Sequence, residues 1–334
     1  MNIGMRQRVV ESIRANCESL FPGLARDCVE IEQIRQQRTI GLNITYSPRF
    51  VCTVKTAGTE KESRGLFVKC KRDVHKEYEN MQMLWTRHYS KSHKYVIPKP
   101  LFLDKTNSFL FLERVNGCSL LDGFYGKWSS KTDKLKLLQS RVAGVAHWLV
   151  DFQNIYHSQD KRCIPDEMVD FEPNVNGLRG LNSADKRRMI GKMRMVIHSF
   201  PEYSETFVTS QFLPRNILFV EDDSKVCVVD FPKLTKGWPM YDFLTFILGI
   251  EKLELYPFIS RENCENLKEI FVTEYFAKAK IVYDPELIEN LWAAYVIADL
   301  RRRYQVYKGI RLKGFGNNVF AHKTVRRLAD WSKK

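Results

Sequence analysis

T-S-Q-F-L-P-R-N-I-L-F-V-E-D-D-S-K-V-C-V-V-D-F-P-K-L-T-K-G-W-P-M-Y-D, residues 209–242, is the stretch on which the reading of the whole chain turns. It reads as a loop ending at Asn216, a strand over 217–220, an acidic turn over 221–224 and a second strand over 225–229, which delivers Asp230 at its end. Alternating and β-branched residues around a short polar turn are hairpin signals. An Asn just before one strand and an Asp just after its partner put two oxygen donors side by side. A hard cation such as Mg²⁺ accepts such a pair when phosphate oxygens complete its octahedron.

Composition bounds what surrounds this stretch. At 334 residues the chain is long enough for two lobes with separate cores, and 44% apolar with 28% charged residues is ordinary for a globular protein. No run approaches a membrane span, and the N-terminal M-N-I-G-M-R-Q-R-V-V-E-S-I-R lacks the apolar core of a signal peptide. The eight cysteines are scattered without a C-x-x-C pair, which speaks against metal and disulfide frameworks and fits reduced thiols in the cytoplasm. A net charge of +14 suggests an anionic partner: a nucleotide, a phosphorylated substrate or a membrane surface. Residues 301–303 and 322–327 concentrate basic charge, but no nucleic-acid-binding motif accompanies them, and no specific nucleic acid is expected.

Working outward, the spacing predicts a helix over 6–17, then two strands within 29–56, V-E-I-E-Q-I and R-F-V-C-T-V-K-T. Between them lies R-T-I-G-L-N, whose single Gly41 suits either a phosphate-covering turn or an ordinary connection. The next strand, G-L-F-V-K-C, carries Lys69. A helical segment follows, with Glu77 near its start and Tyr78, Met81 and Leu84 or Trp85 on one face. The run S-F-L-F-L-E-R-V-N-G-C reads as a strand ending near Glu113, with Gly117 giving the backbone freedom to turn. A long helix over 131–156 has Leu135, Leu138, Val142, Val145, Leu149 and Phe152 as its core stripe. His147 and His157 have no second ligand or nucleophile at useful spacing and read as structural or exposed. A loop over 164–182 and helices over 184–199, 240–250, 262–280, 285–307 and 318–331 complete the chain.

Taken together, these residues resemble the aminoglycoside phosphotransferase and choline kinase-like family. Its pattern is roughly H-G-D-(F/L)-x-P-x-N-(I/V)-L, a hairpin, I-D-F and then G-x-P-x-Y-D. Phe212, Pro214, Asn216, Ile217, Leu218, Asp230, Phe231, Gly237, Pro239, Tyr241 and Asp242 all fall on it. The departure sits at the centre: the family's His, its catalytic Asp and the residue two beyond are here Thr209, Gln211 and Leu213. The resemblance implies an α+β, two-lobed protein kinase-like fold. Its N-terminal lobe, residues 1–115, holds an antiparallel sheet and a helix; residues 116–334 form a mainly helical C-terminal lobe.

The resemblance also implies roles. Lys69 would contact phosphate oxygens of ATP while Glu77 holds its ammonium, Glu79 being the competing partner. Backbone groups from Glu113 to Val115 would meet the adenine edge, although Glu113 also reads as a surface charge on an edge strand. Asn216 and Asp230 would hold Mg²⁺, and Asp242 would brace the loop that carries Gln211. An amide can orient a hydroxyl but cannot serve as a base near neutral pH. Three readings stay open: a phosphotransferase acting on a small polar or sugar/glycan-related hydroxyl, a pseudokinase that binds nucleotide as a scaffold or regulator, and a different nucleotide-dependent transfer. A cationic aminoglycoside wants an acidic pocket, so the basic chain argues against antibiotic modification.

Overall fold

The computed structural model describes residues 3–22, 29–36, 49–56, 63–70, 74–92, 94–120, 131–163, 171–178, 180–220, 225–232, 234–255, 259–307 and 315–334. The expected turn at Gly41 and the acidic turn over 221–224 lie outside them. Two compact units emerge. One comprises Met1–Leu120 with Arg215–Leu234, the other Leu121–Pro214 with Thr235–Lys334.

In the first unit, helices α1 (Ile3–Ala15) and α2 (Cys17–Leu20) precede strands β1 (Val29–Gln36), β2 (Arg49–Thr56) and β3 (Ser63–Cys70). Helix α3 (Val74–Leu84) is followed by a π-helical turn, then by β4 (Tyr95–Val96), β5 (Pro100–Asp104) and β6 (Phe109–Glu113). The antiparallel five-stranded sheet runs β1-β2-β3-β6-β5. Val9 and Ile13 of α1 pack with Leu66, Val68 and Cys70 of β3 in a single buried cluster. Side chains alternate across a strand, so Lys69 emerges on the opposite face, where it stands across from Leu110.

The hairpin β10 (Ile217–Val220) and β11 (Lys225–Val228) belongs to this same unit. It is flanked by β7 (Cys118–Ser119) on β10 and by β4, parallel, on β11. The expected division at residues 115 and 116 follows chain order, whereas these units do not. Short pairings from β4 and β7 tie the hairpin to the N-terminal chain, and a two-residue strand leaves no periodic trace in the sequence.

Gly117 serves this junction through size. A Cβ there would lie 2.6 Å from the Phe219 carbonyl oxygen and 2.7 Å from Val220 Cγ1. Its missing side chain, more than any freedom to turn, lets the strand approach β10. Gly117→Ala should therefore destabilise the protein by about 1–3 kcal/mol, read as a lowered denaturant midpoint. An unchanged midpoint would mean that β7 can lift off β10 at no cost.

The second unit contains α4 (Lys131–Gln153), β8 (His157–Arg162), α5 (Phe171–Asn176), α6 (Ser183–Ile197), β9 (Tyr203–Val208), β12 (Thr235–Gly237), α7 (Met240–Glu251), α8 (Arg261–Ala279), α9 (Pro285–Tyr307) and α10 (Phe315–Trp331). The stripe expected on α4 is buried from Leu138 to Phe152, with Leu135 half-buried. The helix stops three residues earlier than expected, where the Gln153 amide donates to the Pro239 carbonyl at 2.6 Å and accepts from the Tyr275 hydroxyl at 2.7 Å. His157 then enters a strand opposite Thr206. That strand, H-S-Q-D-K-R, has no apolar alternation, so nothing local announced it. Likewise α5 lies inside the stretch 164–182 that reads as loop. His147 is half-buried against Glu274 at 2.9 Å, and His157 is exposed.

Candidate active site

Lys69, Glu77 and Asp230 meet inside the first unit. The Lys69 ammonium lies 2.5 Å from Glu77 Oε1 and 2.6 Å from Asp230 Oδ1, with all three side chains buried. Glu77 reaches this point because the buried stripe of α3 is Val74, Glu77, Met81 and Leu84. The expected face through Tyr78 and Trp85 is rotated, and those two rings are half-buried. A glutamate on the inward face of a helix is costly to desolvate unless it finds a cation, and Lys69 supplies it. Glu79 is exposed on the other side, which decides between the two candidate partners.

Asp230 arrives from the hairpin. The Val229 N–H donates to the Asn216 carbonyl at 2.9 Å, extending the β10–β11 ladder by one bond and fixing Asn216 beside the start of the Asp230 turn. Asp230 has φ +77°, a left-handed conformation that Asp tolerates better than most residues but that still costs on the order of 1 kcal/mol. The kink redirects the chain out of the sheet. The three charged groups together carry one negative charge.

This donor set fits a nucleotide-bound cation better than a resident metal. Among the described residues no cluster of three or more His, Cys, Asp or Glu could hold an ion unaided. One buried carboxylate and one buried amide, Asp230 and Asn216, are oxygen donors of the kind a hard cation takes, with the remaining positions left to phosphate and water.

Of the two expected adenine-edge residues, Glu113 is exposed and its N–H is already used by the Lys99 carbonyl at 2.9 Å. The Arg114 N–H is taken by Gly65 at 2.9 Å. Val115, half-buried, is the first residue past these bonds.

Gln211 belongs to the second unit, in a loop braced from both sides. Asp242, fully buried, accepts from the Thr209 N–H at 2.6 Å, the Thr209 hydroxyl at 3.1 Å and the Ser210 N–H at 3.1 Å. The Thr209 hydroxyl in turn accepts from the Gln211 N–H at 3.2 Å. Thr209 thus braces the loop through both its backbone and its hydroxyl. Burial pushes the Asp242 carboxyl up to about 7 against the pull of these hydrogen bonds. Beyond Gln211, Phe212 stacks on Trp148 and meets Phe246 at a tilt of 45°, with both ring centroids 5.5 Å away. α7 passes so close to Pro214 that a Cβ on Gly249 would fall 2.4 Å from the proline Cδ.

Sequence reasoning missed Ser210. It has φ +58°, at the position where the family pattern has glycine, and that glycine was the available signal. A serine there carries strain that a glycine would not.

No family model matches the sequence, and no curated protein matches it. Solved structures do. A Ralstonia eutropha protein provisionally assigned as an aminoglycoside phosphotransferase aligns over 97% of this chain and 98% of its own, at 14% identity and a TM-score of 0.61. The choline kinase LicA from Streptococcus pneumoniae aligns over 98% and 99%, at 13% identity and 0.54. Amicoumacin kinase hAmiN, solved with AMP-PNP, Ca²⁺ and Ami, aligns over 99% and 96%, at 13% identity and 0.52. The chain has the α+β protein kinase-like fold of the choline kinases and aminoglycoside phosphotransferases.

Proposed function

We propose that this protein binds ATP with Mg²⁺ and transfers a phosphoryl group to a hydroxyl of a small polar or sugar/glycan-related acceptor. The observation that carries the reading is the Lys69 ammonium held between Glu77 and Asp230 in one unit. Phosphoryl transfer asks the protein mainly for positioning and charge neutralisation, and these residues are suited to both. Lys69, oriented by Glu77, neutralises phosphate oxygens. Asp230 and Asn216 hold Mg²⁺, which when bound screens the charge of the transferring group. Val115 offers backbone groups to the base, and Gln211 hydrogen-bonds the acceptor hydroxyl. The fold shared with the nucleotide-bound amicoumacin kinase supports the nucleotide part of the reading.

ATP with Mg²⁺ should raise the thermal midpoint by several degrees, since saturating ligand at a hundred times its Kd stabilises by about 2.7 kcal/mol. Asp230→Ala should abolish both the shift and turnover. A shift that survives in Asp230→Ala would remove the carboxylate from the metal site.

One observation favours a second reading, a pseudokinase. Gln211 occupies the base position, and a neutral amide cannot accept the acceptor's proton. Gln211→Asp separates the two, because a positioned base contributes roughly 10²–10⁴-fold. Faster transfer in this variant supports an enzyme with a slow native loop. A variant that binds ATP yet transfers nothing to any hydroxyl acceptor supports the scaffold.

A further inference from the structure

Among the described residues, four large hydrophobic side chains are exposed: Met195 at 78%, Ile281 at 57%, Val282 at 90% and Tyr283 at 45%. Three of them are consecutive and form the tip between α8 and α9. The tip is held at both ends. Lys280 closes α8 in the left-handed conformation, φ +57°, and the Asp284 carboxylate accepts from the backbone N–H groups of Glu286 and Leu287. The negative charge of Asp284 is thereby engaged at the start of α9.

The fourth, Met195, lies on the solvent side of α6, whose opposite side buries Met189, Met193 and Ile197. α6 carries five cations against one acid, and α10 with the three residues after it again carries five against one. Those two stretches hold eight of the chain's +14 charges. They are joined directly: the Lys192 ammonium sits 4.9 Å above the Trp331 ring and donates to the Trp331 carbonyl at 3.0 Å. The end of α10 is fastened in turn to the start of α9, Trp331 Nε1 donating to Asn290 at 3.0 Å and Lys334 Nζ to Glu289 at 2.8 Å. The apolar tip sits at the head of that same helix.

Six of these cations have acidic neighbours: Arg188 meets Asp185, Arg194 meets Glu172, Lys323 meets Glu254, Lys333 meets Asp330, Lys334 meets Glu289, and Arg327 turns inward onto Glu251. Four of these acids come from outside the two stretches and lower their net charge from +8 to +4, which leaves the field of the surface positive. Arg187 and Arg326 stand exposed.

We propose that this unit docks on an anionic lipid bilayer, with the Ile281–Val282–Tyr283 tip entering the interface and the basic α6 and α10 helices contributing headgroup contacts. Aliphatic side chains partition into the acyl boundary, a tyrosine settles at headgroup level, and clustered Lys and Arg attract anionic headgroups. A nucleic acid accounts for the charge but not for the tip. Single-stranded sites present aromatic platforms for base stacking, whereas two of the three tip residues are aliphatic. The docking is independent of the nucleotide reading.

The test is cosedimentation of the full chain with vesicles of phosphatidylcholine mixed with phosphatidylglycerol, and with vesicles of phosphatidylcholine alone. Binding to the mixed vesicles at low salt is expected, at least about tenfold weaker without the anionic lipid or at high salt. Val282→Asp, and separately Arg187→Glu with Arg326→Glu, should each weaken it about tenfold while leaving the thermal midpoint and its response to ATP unchanged. Absence of binding to the mixed vesicles overturns the proposal, as does binding indifferent to all three substitutions. Tighter binding to an oligonucleotide than to the vesicles, lost on the same charge reversal, overturns it in favour of a nucleic-acid surface.

Discussion

Lys69→Met should destabilise the protein by about 3–5 kcal/mol, because it leaves two buried carboxylates facing the site of a missing cation. In the wild type the ammonium stands 2.5 Å from Glu77 and 2.6 Å from Asp230, and it is 3% exposed. Methionine fills most of the lysine stem, so lost packing is minor and the charge decides the outcome. Chemical denaturation measures the loss, and the ATP-dependent thermal shift should vanish with it. A companion variant with Lys69→Met, Glu77→Leu and Asp230→Asn should recover most of the stability, since buried ion clusters are often no better than apolar packing of equal volume. It should not recover nucleotide binding. If the single and triple variants were equally unstable, the contacts at Lys69 would be structural rather than a binding arrangement maintained at a cost.

Asp242→Ala is the second large effect. It removes the acceptor for three hydrogen bonds and leaves the Thr209 and Ser210 N–H groups buried or half-buried without it. The expected cost is about 3–5 kcal/mol, combining unsatisfied donors with a cavity. The pH dependence identifies the group. Its carboxyl is pushed up to about 7 in the folded protein, against about 4 when unfolded. Between those values the unfolded chain is ionised while the folded protein keeps the proton, so stability falls as pH rises through that window and levels off above 7. At about 1.4 kcal/mol per pH unit the full loss is roughly 3–5 kcal/mol. Asp242→Asn cannot ionise and should flatten this slope. At pH 5 the wild-type carboxyl is also neutral, so the two proteins should differ by about 1 kcal/mol or less. Denaturant unfolding at pH 5 and pH 8 reads both effects, and an equally steep slope in the Asn variant would locate the titrating group elsewhere.

The parts of the site were legible to different degrees. Asp230 and Asn216 could be placed from the chain alone, because a hairpin fixes which residues stand side by side and both lie at its ends. Lys69 and Glu77 were legible as a strand lysine followed by a helix glutamate, and the choice of Glu77 over Glu79 then follows from which side of α3 is buried. Ser210 was not legible as a strained residue. Nothing in T-S-Q requires φ +58°, which is imposed by Asp242, Thr209 and the stacked Phe212 closing the loop from outside.

What the sequence alone determined is whatever repeats with a local period or sits at a fixed offset: most of the long helices and strands, the core stripe of α4, and the hairpin with Asn216 and Asp230 at its ends. Tertiary structure decided the rest. The polar strand β8 exists because His157 finds Thr206, and the two-residue strands β4 and β7 exist because the hairpin offers them edges. Gly117 is needed because another backbone passes within van der Waals distance. The physical reason is common to all of these. A pairing or a close approach between segments remote in sequence is stabilised by a partner that no local window contains, whereas burial of a helix face or a strand face leaves its period in the chain itself.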